Sequence, residues 1–286
     1  MVRGGNEMEE TTSTVSRADT PQFIGRGEGR IAYEVFGAGP LVVCLPGMGE
    51  LRSVYRFTVP ALVAAGLRVA TMDLRGHGDS DASFVSYDDI ATAQDALALI
   101  THLGGPAVVV GNSMGAGAAV WAAAEQPKVV AGLVLIGPFV RNVPTNPLVS
   151  LAFRSAMAGP WAPRLWRAYL PKLYPGGPPE DFAGHLEAIA AGMRRSGHAR
   201  AFRATTRTSH APVEARLSEV TVPALVVMGE RDPDFSDPVG EARLISDRLG
   251  AEVLLVPRAG HFPHVESPGL VNPTLVEFVA RMSQRG

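Results

Sequence analysis

The twelve residues Val108-Val109-Val110-Gly111-Asn112-Ser113-Met114-Gly115-Ala116-Gly117-Ala118-Ala119 constrain this chain more than any other stretch. A β-branched run ends in Gly-Xaa-Ser-Xaa-Gly and passes directly into an alanine-rich segment. Branched residues suit a strand and alanines a helix, so the stretch predicts strand, sharp turn, helix, with Ser113 at the apex. So tight a turn strains the serine backbone and demands small neighbours, which Gly111 and Gly115 supply. It lifts the hydroxyl clear of the sheet and sets the Met114 N–H at a helix N-terminus, where negative charge is stabilised. A serine hydroxyl is a weak nucleophile alone. A base, an orienting acid and a second backbone donor must come from elsewhere in the chain.

Other segments repeat the strand–helix rhythm. Ile31, Tyr33 and Val35 alternate with Arg30, Ala32 and Glu34, the pattern of a half-buried strand closed by Gly-Ala-Gly-Pro at 37–40. The continuous apolar run Leu41–Leu45, which holds the single cysteine Cys44, fits a strand buried on both faces. It empties into Pro46-Gly47-Met48-Gly49, a loop at a strand's C-terminal end, where open α/β sheets bind ligands. A helix interrupted by Pro60 is expected over 51–65, then a strand over 67–72. A helix capped by Ser86 runs through Ile90, Ala93, Leu97 and Ile100 to Gly104-Gly105. Val129–Ile136 is one more buried strand. The pattern breaks over 139–217, which carries helical spacing and many aromatics, and resumes with a strand at 224–228, a helix near 241–249, a strand at 252–256 and a last helix near 270–281.

The expected architecture is therefore α/β: a mostly parallel central sheet flanked by helices, built from 21–138 and 218–286, with 139–217 as a helical insertion. Residues 1–20, rich in Gly, Glu, Ser and Thr, are expected to form a disordered tail. With 46% hydrophobic residues a sizeable core is available, and a net charge of −2 gives no general attraction to nucleic acid or anionic membrane. One cysteine excludes an intrachain disulfide and a cysteine metal cluster. No apolar run is long enough to span a bilayer and no signal-peptide core is evident, so a cytoplasmic location is expected. No metal site or dinucleotide fingerprint is visible, and no cofactor is expected.

The base is expected after a late strand, because only strand C-terminal ends point toward Ser113. His261 follows a glycine just beyond the strand 252–256, and its imidazole titrates near neutrality. His264, three residues on, is expected to face solvent or cap the last helix. Three carboxylates, Glu230, Asp232 and Asp234, follow the preceding strand. Glu230 points away in a regular turn, which leaves Asp232 and Asp234 as candidate acids, with Asp234 the fallback.

Together these motifs resemble the α/β-hydrolase superfamily with a lid inserted after the sixth strand. The elbow Gly-Asn-Ser-Met-Gly, the loop Asp73–Ser80, the turn Gly-Glu-Arg-Asp and Gly260-His261 carry the likeness from Phe23 onward. The resemblance implies a triad of Ser113, Asp232 and His261 in the family's Ser–Asp–His order. It also implies an oxyanion hole from the Met48 and Met114 amides. The family's usual His-Gly-Xaa is Pro46-Gly47-Met48 here, but a backbone donor does not depend on side-chain type. Arg75 and His77 are expected to be tied into backbone hydrogen bonds. Trp161, Trp166, Tyr169 and Tyr174 of the lid are candidates to line an apolar substrate pocket or to pack the lid onto the core, with Trp161, Trp166 and Tyr169 expected to bind substrate. Arg200, Arg203 and Arg207, at helical spacing, are expected to form a solvated basic face, with contact to a substrate carboxylate as the alternative.

The implied activity is cleavage of an ester, thioester or lactone of a small, largely apolar substrate through a Ser113 acyl-enzyme. The rival within the superfamily is a carbon–carbon hydrolase of ring-cleavage products, whose patterns Gly-Asn-Ser-Met-Gly and Leu-Ile-Gly-Pro (135–138) resemble. Against it, that group's glycine-rich oxyanion segment is missing and Phe262 stands where it tends to carry tryptophan. An acyltransferase or perhydrolase, and a non-covalent synthase or ligand-binding role, remain as further alternatives on this fold.

Overall fold

The computed structural model describes residues 20–143 and 147–283; most of the expected tail, at residues 1–19, lies outside them. Eight strands form one sheet in the order β1-β2-β4-β3-β5-β6-β7-β8. They are β1 (Gln22–Gly25), β2 (Arg30–Phe36), β3 (Leu41–Leu45), β4 (Arg68–Met72), β5 (Ala107–Asn112), β6 (Val130–Ile136), β7 (Ala224–Gly229) and β8 (Glu252–Val256). From β4 to β8 all neighbours are parallel, while β2 pairs antiparallel with both β1 and β4. The sheet is mostly parallel, with an antiparallel hairpin at one edge.

The central strands divide their side chains between two apolar layers with the period of two that a pleated strand imposes. Val43 and Leu45 of β3 and Val109 of β5 face one layer, and Val42, Cys44, Val108 and Val110 face the other. The first layer is closed by α2 (Asp89–Leu103) and α3 (Met114–Glu125), and the second by α1 (Val59–Ala64) and α11 (Pro268–Ser283). Every residue of β3 and β5 is buried, and each aliphatic side chain so buried contributes about 1.5–3 kcal/mol. That is why these strands read as unbroken apolar runs. Cys44 lies inside the sheet, where burial pushes its thiol pKa up and keeps it unreactive.

Two local expectations are corrected. The helix expected over 51–65 divides into a 3₁₀ turn, Arg52–Tyr55, and α1, because Pro60 opens the second piece rather than interrupting one helix. Asp88, not Ser86, caps α2: its carboxylate accepts the Ala91 N–H at 2.9 Å, and α2 then stops at left-handed Gly104.

Between β6 and β7 the described residues contain no strand. They form α4 (Pro147–Ala158), α5 (Ala162–Tyr169), α6 (Phe182–Met193), α7 (His198–Thr205) and a short turn α8 (Ala211–Glu214). The chain then completes β7, α9 (Pro238–Leu249), β8, the turn α10 (Pro263–Glu266) and α11. No helix among the described residues is long and apolar enough to cross a membrane.

Candidate active site

Ser113 sits between β5 and α3 with φ 57° and ψ −121°, a conformation costing a non-glycine residue about 1–3 kcal/mol. The neighbours show why the turn needs glycine. A Cβ on Gly111 would fall on the Gly115 carbonyl, and one on Gly115 would fall on the Leu45 carbonyl of β3. The Ser113 N–H is tied to the Ile136 carbonyl at 2.9 Å, which fixes the strained turn to β6. Gly47 brings the β3 loop against the serine, since a Cβ there would lie 2.8 Å from Ser113 Cβ.

His261 follows β8. Its N–H donates to the Leu173 carbonyl at 3.0 Å, and Glu266 anchors the preceding Gly260 N–H at 2.7 Å. The imidazole Nδ1 lies 2.7 Å from Asp232 Oδ2 and 3.7 Å from Asp234 Oδ2. Asp232 is buried, and its other oxygen accepts the Asp234 N–H at 3.0 Å. Burial alone would push His261 down, but the Asp232 carboxylate, joined by Asp234, outweighs it and raises the pKa to about 9. Asp234 is itself raised by burial, and it accepts the Tyr169 hydroxyl of α5 at 2.6 Å. Glu230 is exposed.

Asn112 is a residue that sequence reasoning passed over. Its side-chain amide donates to the Ile136 carbonyl at 3.1 Å and to the His261 carbonyl at 3.2 Å, pinning the histidine loop to the elbow. His264 is a correction. Instead of facing solvent it is fully buried beside Tyr55 and Phe262, neither ring nitrogen has a partner among the described residues, and burial lowers its pKa to about 3.

Met48 and Met114 both border the cavity that holds Ser113 and His261, and neither backbone N–H meets a protein acceptor among the described residues. The first helical amide of α3 has no intrahelical partner in any case. The loop beyond Met48 is braced from both sides. Gly49 donates its N–H to His77 Nε2 at 3.1 Å, so His77 Nδ1 carries the proton and donates to the Arg75 carbonyl at 2.9 Å. Burial lowers His77 to about 4, which keeps that tautomer neutral. From the other side Trp166 Nε1 donates to the Gly49 carbonyl at 3.2 Å, and His185 of α6 meets buried Glu50 at 2.8 Å. His77 is thus held by backbone groups as expected. Arg75 departs from that: its main partner is the Asp95 carboxylate, at 2.6 and 2.9 Å, with the Ser86 carbonyl at 3.2 Å.

Helices α4, α5 and the end of α7 close the cavity, whose volume is about 1070 Å³. Trp166 and Tyr169 line it; Trp161 does not. Trp161 precedes α5, is 50% exposed and folds back on α4 to donate its indole N–H to the Ala156 carbonyl. Tyr174 is buried and stacks on Phe262 away from the cavity. The three arginines do not share one solvated face. Arg200 donates to the Ala82 carbonyl, and α7 ends at Thr205, so Arg207 leaves the helix and borders the cavity.

Asp232, Asp234 and His261 form the one cluster among the described residues whose ligand atoms lie within 4.8 Å of one another. The 2.7 Å separation within it is that of a charge-assisted hydrogen bond between Asp232 and the ring. The arrangement can therefore take a proton from a cavity group onto His261 and hold the resulting imidazolium.

Comparison with known proteins gives the family of the fold that carries this site. A family model described as "Alpha/beta hydrolase family" matches residues 42–274. The chain is 29% identical over 262 residues to 2-(acetamidomethylene)succinate hydrolase of Mesorhizobium japonicum, covering 88% of this chain and 92% of that protein. It is 29% identical over 254 residues to the monoacylglycerol lipase of Mycolicibacterium smegmatis, covering 80% and 84%. An esterase structure from Exiguobacterium antarcticum superposes with a TM-score of 0.79 at 21% identity, over 91% of this chain and 100% of that one, a likeness of fold alone. With the family model spanning the sheet from β3 to the last helix, the chain belongs to the alpha/beta hydrolase family.

Proposed function

We propose that the protein is a serine hydrolase that cleaves an ester, thioester or lactone of a small molecule, with 139–217 acting as a lid. The observation that carries the reading is a strained, cavity-facing Ser113 sharing that cavity with a histidine whose far nitrogen is held by buried Asp232. In this reading Ser113 Oγ attacks the substrate carbonyl while His261 Nε2 takes its proton. Asp232 keeps Nδ1 protonated and stabilises the imidazolium. The tetrahedral oxyanion rests on the Met48 and Met114 N–H groups, and collapse returns the proton through His261 to the leaving alcohol or thiol. Water, activated by the same histidine, then releases the acyl group. The relatives are named for acyl substrates as different as an acetamidomethylene succinate and a monoacylglycerol, which supports hydrolysis and leaves the acyl class to the cavity walls.

Intact mass after incubation with a fluorophosphonate, run beside Ser113→Ala, tests the reading. One adduct on the wild type and none on the variant is expected. A folded wild type that takes no adduct and turns over no ester overturns covalent catalysis.

A further inference from the structure

The segment that follows α7 carries more hydrogen-bonding capacity than the protein itself uses. Residues Thr205–His210 all border the cavity. Thr208 Oγ1 is buried there with no hydrogen-bond partner among the described residues. A hydroxyl withdrawn from water and left unpaired is costly, and native proteins keep few of them. Ser209 Oγ accepts the Asn142 amide at 3.1 Å and the Ala211 N–H at 3.4 Å, so its own proton is uncommitted. The Arg207 side chain, between them and the helix end, makes no ion pair or hydrogen bond with any described residue, while its N–H donates to the Ala204 carbonyl.

The rest of the segment is held rigidly. His210 Nδ1 lies 2.7 Å from Asp89 Oδ2, a carboxylate buried at the start of α2, and the His210 N–H donates to Asn142 Oδ1 at 2.9 Å. The His210 ring packs on Phe139 at 5.6 Å, and His261 meets the same Phe139 ring at 5.9 Å. The segment and the proposed base therefore both contact one aromatic ring of the cavity wall.

Charge points the same way. Arg154 and Lys172 also border the cavity without a carboxylate partner among the described residues, whereas the bordering carboxylate, Asp234, is engaged by Tyr169 and His261. A guanidinium fork beside two hydroxyl donors matches a planar anion with two oxygens.

We propose that Arg207, Thr208 and Ser209 form a carboxylate subsite, so that the substrate is an acyl compound bearing a second, ionised carboxyl group on a short chain. The substrate class rests on the serine-hydrolase reading; the subsite is testable without it.

The experiment compares two esters of equal chain length, monomethyl adipate and methyl hexanoate, by methanol release, and measures adipate binding to Ser113→Ala by calorimetry. The wild type is expected to favour monomethyl adipate in kcat/KM by about tenfold or more, the worth of a charged hydrogen bond. Arg207→Gln is expected to cut that preference by a similar factor, and Thr208→Val to cut it less. Adipate is expected to bind Ser113→Ala and to bind Ser113→Ala/Arg207→Gln at least tenfold more weakly. Equal or greater use of methyl hexanoate by the wild type, or adipate binding that Arg207→Gln leaves unchanged, overturns the subsite. Adipate binding that depends on Arg207, in a wild type that cleaves neither ester and takes no fluorophosphonate, keeps the subsite and removes the hydrolase reading.

Discussion

The two walls of the cavity are built on different terms. The floor comes from strand ends: Gly47 and Met48 after β3, Asn112 closing β5 with Ser113 and Met114 just beyond it, and His261 after β8. Its side chains are mostly buried and tied across elements: the Asn112 side-chain N–H groups donate to two carbonyls, and Asp232 is met by His261 and an amide. The roof comes from α4, α5 and the end of α7, where Phe153 and Leu165 stay well exposed and Arg154, Lys172 and Arg207 have no carboxylate partner among the described residues. Backbone pairing across the sheet fixes the floor, whereas the roof is fixed only by packing and a few long-range hydrogen bonds. The difference assigns chemistry to the first wall and recognition to the second.

The sharpest break of that division is Asp232→Asn. An amide in place of the carboxylate keeps the shape but can present N–H to the ring and favour the wrong tautomer. A fall in kcat of about 10⁴ with a KM within a few-fold of the wild type is expected, measured on a soluble ester. A fall of less than tenfold would move the orienting role to Asp234, which already lies 3.7 Å from Nδ1.

Trp166 tests whether the roof reaches the floor. Its indole N–H holds the Gly49 carbonyl, one residue beyond the proposed oxyanion donor Met48. Trp166→Phe removes one hydrogen bond worth roughly 1 kcal/mol, and a fall in kcat of about five- to tenfold is expected. If only KM moves, Trp166 is a pocket wall and the two regions are as separate as their construction suggests.

Asp234→Asn sharpens the electrostatic side. The variant keeps an oxygen for the Tyr169 hydroxyl and removes one of the charges that raise His261. The wild type should gain activity as pH rises through about 9, because the base works only once deprotonated. In the variant that limb should fall by about one unit. Stability follows the opposite sign. Because His261 is raised above its ordinary 6.5, the imidazolium's contribution is complete below about 6.5 and is lost as pH rises toward 9. A limb that stays in place in kcat/KM profiles of both proteins shows that Asp234 does not act on the ring.

Legibility in the sequence follows the same division. The strand–turn–helix around Ser113 was readable because sterics within a few residues dictate it: the glycines, the branched run and the alanines lie next to one another. The alternation of β3 and β5 between two apolar layers likewise leaves a local signature. Asn112 did not, since its two carbonyl partners come from β6 and from a loop 149 residues away. Trp161 was misplaced because an aromatic in an insertion looks alike whether it turns inward or back on its own helix. The spacing of Arg207 suggests a helix face, but α7 stops two residues earlier. Tyr169 and Asp234 are 65 residues apart, and only the fold brings them together.

His264 is the exception within the floor, and it supplies the smallest expected effect. Its position three residues after His261 suggests a solvent-facing side chain, but α10 is a single turn that rotates the ring against Tyr55. Both nitrogens then lie buried without partners, and the ring must stay neutral, with a pKa near 3. A histidine lowered in this way contributes fully to stability above its unfolded value of 6.5, and the contribution is lost as pH falls from there toward 3. His264→Phe replaces the ring with an apolar one of similar shape between Tyr55 and Phe262. The gain from removing unpaired nitrogens, about 1–3 kcal/mol, is offset in part by the larger ring, so a net gain of about 1 kcal/mol at pH 8 is expected from urea unfolding. At pH 5 the gain should be larger, because the unfolded wild type binds a proton that its folded form refuses, at about 1.4 kcal/mol for each pH unit below 6.5. A variant that gains nothing at pH 5 over pH 8 would mean the ring is solvated. The floor would then hold a water-filled gap behind the proposed base, in place of dry packing against Tyr55 and Phe262.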